Sequence, residues 1–319
     1  MYSQPNQPKG APQLENPNPQ SYFSNDRGGF YVTEKCTIIH GDAIEVLHNF
    51  KDNTFGAVIT DPPYASGGLH TKTRQAPTVV KYTANKTVNP LPNFEGDNKD
   101  QLSWILWSTT WLREAKRVCK KGAPICIFID HRQLDALKWA MQWADWLING
   151  IVVWDKTEKV RPQLGRFRNQ CEFILWGSKE TMKLNRNVPV LKGCYRYPTL
   201  NKGKLHQTQK PLELMRDIVK IVEPGETILD PFAGSGTTLL AALQEGYNAV
   251  GIEITKEYAS IAQKQIYTLN NQTPPTNTEL ENIKKTATMQ CHKQTGYPNN
   301  LRTHTGTTQH TQSKRGETP

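Results

Sequence analysis

Short runs of β-branched and aliphatic residues alternate along this chain with longer segments whose apolar positions recur every three or four residues. CTIIH (36–40), AVIT (57–60), APICIFI (123–129), GIVVW (150–154), CEFILW (171–176), TILD (227–230) and NAVGIEI (248–254) read as strands. AIEVLHNF (43–50), LSWILWSTTWLREAKRV (102–118), RQLDALKWAMQWADW (132–146), PLELMRDIVKIV (211–222), TTLLAALQEG (237–246) and KEYASIAQKQIYTL (256–269) read as amphipathic helices. This alternation predicts an α/β fold with a mostly parallel sheet and helices on both faces. Trp104, Trp107 and Trp111 fall at i, i+3 and i+7, and Trp139, Trp143 and Trp146 at i, i+4 and i+7. Both stripes are expected to pack into the core rather than to stack on bases.

Outside this pattern, residues 1–30 hold five prolines among Gln, Asn and Ser, and residues 272–319 are rich in Thr, Gln, Asn and Lys. Both read as disordered tails, the second basic, flanking residues 31–271, and the length leaves the number of domains there open. Aliphatic and aromatic residues make up 36% of the 319, and no run approaches the ~20 apolar residues of a membrane span. The N-terminus has no apolar signal core, so a soluble cytoplasmic protein without a membrane partner is expected. The six cysteines form no CxxC pair and the eight histidines no HExxH spacing, so reduced thiols and no metal site are expected.

Charge is unevenly placed. The net charge is +10, and from Asp155 to Lys210 there are 13 Lys plus Arg against 4 Asp plus Glu, so that segment alone carries +9. A polyanion partner is one reading of such a segment and a solvated basic loop is the other.

DPFAGSGTT (230–238) follows a strand and runs directly into a helix. Gly234 and Gly236 remove side chains at a sharp turn, so a ligand can approach the backbone at the helix N-terminus. Nineteen residues after Gly234 the next strand ends in Glu253, whose carboxylate can accept both hydroxyls of a ribose. No Gly-Lys-Ser/Thr ending or GxGxxG is present, so the pattern is that of a nucleoside site, with a ligand-free tight turn as the alternative.

TDPPY (60–64) places an acid, two prolines and an aromatic ring at the end of another strand. Each proline pushes the residue before it into extended geometry and offers no N–H, leaving the Asp61 carboxylate and the carbonyl of residue 61 or 62 as fixed acceptors beside Tyr64. A planar heterocycle with an exocyclic NH2 matches them: the ring stacks on tyrosine and both amino hydrogens are accepted. That drives the amino nitrogen toward tetrahedral geometry and localises its lone pair for attack on a methyl group. A proline-rich turn with an incidental acid remains the alternative for this stretch alone.

TDPPY and DPFAGSGTT together resemble the DNA amino-methyltransferases that use S-adenosylmethionine to methylate adenine N6 or cytosine N4. Their order, with a basic region between, is similar to the β arrangement of that family. HGD (40–42) resembles its acidic motif at the cofactor adenine, implying that role for Asp42, and HQTQKP (206–211) resembles its HxTQKP motif. The resemblance implies a circularly permuted, Rossmann-like methyltransferase sheet over residues 31–270, with the target base at Asp61, Pro62, Pro63 and Tyr64. It also implies a cofactor site at Asp42, Lys210, Pro211, Asp230, Phe232, Gly234, Gly236, Thr237 and Glu253.

The basic segment at 155–210 would take the place of the target-recognition region, with Arg161, Arg166 and Arg168 as DNA contacts. The loop from Ala65 to Asp100, with Lys72, Arg74, Lys81 and Lys86, reads as a mobile cover or as a disordered insertion. Adenine N6 methylation of duplex DNA with base flipping is expected, because family members acting on cytosine N4 more often carry Ser where Asp61 stands. Cytosine N4 methylation, and a noncatalytic DNA-binding protein on the same fold, stay open. So do a separate cognate restriction endonuclease as partner and the oligomeric state.

Overall fold

The computed structural model describes residues 29–33, 35–65, 99–162, 164–200 and 209–269. The expected tails (except Gly29 and Phe30), the loop cations Lys72, Arg74, Lys81 and Lys86, and the first three residues of HQTQKP lie outside the described residues.

Nine strands form one sheet among the described residues. From edge to edge it runs β1 (Gly29–Val32), β2 (Cys36–His40), β9 (Asn248–Glu253), β8 (Thr227–Asp230), β3 (Ala57–Thr60), β4 (Pro124–Ile129), β6 (Cys171–Ser178), β5 (Leu147–Asp155) and β7 (Cys194–Arg196). The five strands from β2 to β4 are parallel. β6 reverses direction against both β4 and β5, β7 is parallel to β5, and β1 is antiparallel to β2. The helices are α1 (Ala43–His48), α2 (Gln101–Val118), α3 (Leu134–Trp143), α4 (Leu212–Val219), α5 (Thr237–Gln244) and α6 (Lys256–Leu269).

The central strands are apolar at successive positions because each face meets its own core. Ile39, Val58, Ile125, Ile127, Leu229 and Val250 join buried residues of α1, α2 and α3. Their neighbours Ile38, Ile59, Cys126, Phe128, Ile228 and Ala249 join those of α4, α5 and α6. Sequence pattern therefore anticipated the sheet and its two helical layers. It did not anticipate β1, which begins inside the expected N-terminal tail at Gly29, or the three-residue β7.

The tryptophan stripes divide. Trp104 and Trp111 are fully buried, whereas Trp139 and Trp143 are 57% and 61% exposed, against expectation. α3 turns Ala136, Leu137, Ala140 and Met141 to the core, which leaves the outer face to the two indoles. The helix ends before Trp146, and Asp145 takes a left-handed φ of 62°. Trp146 thereby swings inward, and its indole N–H donates to the Leu112 carbonyl at 2.9 Å.

β3 and β8 lie side by side, yet the helices that follow them go to opposite faces, α2 to one and α5 to the other. The loops leaving the two strands diverge, and the crevice between them, beyond the carboxyl ends of the strands, is where doubly wound sheets hold ligands.

Trp111→Ala is expected to cost about 3–5 kcal/mol in urea denaturation, and Trp139→Ala less than about 0.5 kcal/mol. Equal losses would mean that the outer face of α3 is covered.

Candidate active site

TDPPY and DPFAGSG are the two diverging loops. Asp61 follows the last residue of β3, Asp230 ends β8 and Glu253 ends β9, so adjacent parallel strands deliver three carboxylates to one crevice. The Thr60 hydroxyl donates to Asp230 Oδ1 at 2.6 Å and ties the floors of the two loops together. The Pro63 carbonyl accepts from the Trp104 indole at 2.8 Å, so α2 fixes the far end of the proline pair. Asp42 caps α1, accepting from the backbone N–H groups of Ile44 and Glu45. Glu253 spreads its two oxygens, accepting from Gly234 N–H and from Thr255 N–H, each at 2.8 Å.

A cleft of about 370 Å³ brings together Asp42, Asp61, Pro62, Pro63, Tyr64, Lys210, Asp230, Phe232, Gly234, Thr237 and Glu253. Pro211 and Gly236 do not line it. Pro211 precedes the first turn of α4. Gly236 serves packing: its φ is +88°, and a Cβ there would sit 2.9 Å from that of Ala262 on α6. Trp107, unforeseen as a site residue, lines the cleft beside Phe232, with ring centroids 5.3 Å apart.

Beneath Asp61 lies a buried charge cluster that sequence reasoning missed. Lys210, 6% exposed, sets its ammonium 2.6 Å from Asp61 Oδ2 and 3.1 Å from Glu172 Oε1. Lys156 reaches Glu172 from the other side at 3.5 Å. The Tyr64 hydroxyl lies between Asp61 and Glu172, 2.8 Å from the latter, and has one hydrogen to donate between them. Two carboxylates and two ammonium groups thus balance. A sign of this was legible: Glu172 is the one acid inside CEFILW, and a carboxylate in a buried strand requires a partner.

Burial pushes the Asp61 carboxyl above the usual range, and Lys210 opposes this while the charge of Glu172 adds to it. Burial also raises Glu172, but Lys210, Lys156 and the Tyr64 hydroxyl outweigh it and hold that group low. Lys210 loses by burial and gains more from its two carboxylates, so its value rises. Burial lifts Tyr64 well above the ordinary phenol, reinforced by both acids, and it stays a neutral donor. Asp230 is pushed up to about 6 by burial, and Glu253 is raised for the same reason.

The basic segment is more neutralised than its composition implied. Lys156, Arg186, Arg196 and Lys210 all pair with acids. Arg161, Arg166 and Arg168 are exposed on the loop between β5 and β6, where Arg168 donates to the Glu158 carbonyl. Among the described residues no helix is long and apolar enough to cross a membrane.

These features define a doubly wound α/β protein with a carboxylate-lined cleft at its switch point. The N6/N4 methyltransferase model, described as DNA methylase, matches residues 55–264, and the chain belongs to that family. Type II methyltransferase M.HinfI of Haemophilus influenzae is 29% identical over 252 residues, covering 72% of this chain and 68% of that protein. The M1.HpyAVI–SAM complex shares the fold at a TM-score of 0.51 and 24% identity, covering 72% of this chain and 98% of that one. The cytosine-N4-specific PvuII DNA methyltransferase shares it at a TM-score of 0.58 and 16% identity, covering 83% and 96%.

Glu172→Gln should leave the buried Lys210 with one carboxylate in place of two and take from Lys156 its pairing at 3.5 Å, and a loss of about 3 kcal/mol is expected in urea denaturation. Asp230 binds its proton more tightly folded than unfolded, so its burial costs stability above about pH 6, and the cost disappears below about pH 4. Asp230→Asn keeps an acceptor for Thr60. It should raise stability at pH 8 by about 2–3 kcal/mol, because each tenfold change in proton affinity is worth about 1.4 kcal/mol, and should change little at pH 4.

Proposed function

We propose that this chain methylates the exocyclic N6 of adenine in duplex DNA, with S-adenosylmethionine as donor and with the target base flipped into the cleft. The observation that carries this reading is the convergence of Asp61, Pro62 and Tyr64 on the same cleft as Asp230, Gly234 and Glu253.

The cleft suits the donor chemically. Four carboxylates and two ammonium groups line it, an excess of acceptors fitted to hydroxyls and a cationic centre. Its ~370 Å³ falls in the usual range for small-molecule sites. Glu253 has a further lone pair on each oxygen for a ribose hydroxyl, and Asp42 has Oδ2 beyond the oxygen that caps α1. Ile44, Trp107, Phe232 and Ile254 supply apolar walls for a flat base. When bound, S-adenosylmethionine supplies an electrophilic methyl on a sulfonium.

Asp61 accepts one hydrogen of the adenine amino group and the Pro62 carbonyl the other. This localises the nitrogen lone pair; with the donor bound, that pair would form the new N–C bond as the S–C bond breaks and its electrons pass to the sulfonium sulfur. Lys210 keeps Asp61 in place without taking its last acceptor site, because each carboxylate oxygen carries two lone pairs. The Tyr64 ring holds the base by stacking while its hydroxyl is anchored at Glu172. After transfer the nitrogen is cationic and sheds a proton readily, and Asp61, with its raised affinity for one, stands beside it. Among the described residues no cysteine lines the cleft, and the nitrogen needs none because it is itself the nucleophile. Cytosine N4 offers the same amino geometry. The likeness to the PvuII enzyme extends to the fold alone at 16% identity, so it does not favour that base.

Sequencing modified bases in DNA from cells producing the protein is expected to find N6-methyladenine in one short sequence context. N4-methylcytosine would transfer the reading to the other base. Unmodified DNA together with tight duplex binding would leave a DNA-binding protein. Asp61→Ala is expected to cut methyl transfer by at least about 100-fold, with donor binding by calorimetry within about threefold of wild type. Near-normal transfer would refute the amino clamp.

A further inference from the structure

Between β5 and β6 the described residues 156–162 and 164–170 form a braced stem with an exposed apolar tip. At its base the Lys156 N–H donates to the Gln170 carbonyl at 3.0 Å, and the Gln170 side chain donates to Asp155 at 2.7 Å. Arg196 of β7 clamps one side of the stem, pairing with Asp155 at 3.3 Å and Glu158 at 2.6 Å. Arg168 crosses the stem to the Glu158 carbonyl. At the tip, Leu164 and Phe167 are each 98% exposed on either side of Gly165 and Arg166. Gly165 has a left-handed φ of 67° with open space where a Cβ would be, so it serves the turn.

The stem is rooted in the active site. Lys156 is 3.5 Å from Glu172, which in turn holds the Tyr64 hydroxyl. Leu184 is as exposed as the tip, but it follows the end of β6, which pairs at Ser178 with the start of β4, away from the carboxyl ends of the parallel strands; Val190, also exposed, precedes β7. Phe167 and Leu164 stand on the loop that springs from the cleft edge of the sheet, where Asp155 pairs with Cys171. Arg161 and Arg166 are exposed beside them and meet no acidic partner among the described residues. Apolar side chains held out next to exposed guanidinium groups match a duplex, whose base stack lies behind a row of phosphates.

We propose that Phe167, with Leu164 beside it, is the wedge that enters the duplex at the target site and fills the gap left by the flipped base, while Arg161 and Arg166 grip the flanking phosphates. This inference rests on the reading of the chain as a DNA methyltransferase. Tyr64 cannot play the part: its hydroxyl is tied inside the cleft, where it receives the base. A second apolar group must then support the emptied stack, and extrusion is easiest where the pair is already weakened.

The test uses the full chain and duplex oligonucleotides carrying the sequence context found modified in cells, with the target base either paired or mispaired. Phe167→Ala is expected to lower kcat/KM on the paired duplex at least about tenfold and to return to within about threefold of wild type on the mispaired one. Phe167→Trp should keep activity on both. Unchanged kinetics on the paired duplex, or equal losses on the two, would overturn the wedge while leaving the methyltransferase reading intact. A wild-type protein that transfers no methyl group to either duplex would instead overturn that reading, and the wedge with it.

Discussion

The site depends on β3 and β8 being neighbours. Their parallel pairing, Ala57 to Ile228 and Val58 to Leu229, is closed at the carboxyl end by the Thr60 hydroxyl on Asp230. Because the next helices leave toward opposite faces, the backbone opens a crevice at the junction without any bend in the strands. The acids at the ends of β3, β8 and β9 then need no long side chain to converge. Their burial follows from the same packing, since strands buried along nearly their whole length leave little water below the loop level.

Burial makes the charge cluster beneath Asp61 a second constraint. An isolated ammonium at the position of Lys210 would be too costly to bury, and an isolated carboxylate at Glu172 likewise. Together with Asp61 and Lys156 they become tolerable, at little net gain in stability over apolar residues of the same size. What the arrangement gains is placement. Lys210 fixes one oxygen of Asp61, Glu172 fixes Lys210 and the Tyr64 hydroxyl, and Lys156 connects this geometry to the loop bearing Phe167.

Most of the sheet was legible because its strands are apolar on both faces and its helices show a single apolar stripe. β7 escaped because CYR offers only one buried residue, Tyr195, in three. The outward turn of Trp139 and Trp143 escaped because aromatic spacing alone does not say which face of a helix meets the core; the small residues Ala136 and Ala140 carried that information. At the site, the acids of DPPY and the glycines and acid of DPFAGSG were readable from local chemistry. For Glu172 the sequence showed only that a buried acid needs a partner; that its partners are Lys210, Lys156 and Tyr64 arises only when β6 lies between β4 and β5. Gly236 carries a second constraint that its motif did not reveal: Ala262 leaves no room for a Cβ there.

The hydrogen bond between Thr60 and Asp230 spans 170 positions of sequence. On a ribosome adding roughly 5–20 residues per second, the two walls of the cleft emerge roughly 10–30 s apart. Until β8 arrives, β3 has an open edge on one side and its apolar residues lack half their cover. The nascent chain therefore spends that interval with a sticky strand and no cleft, and the donor cannot be gripped between its two loops until almost all of the sheet has been translated.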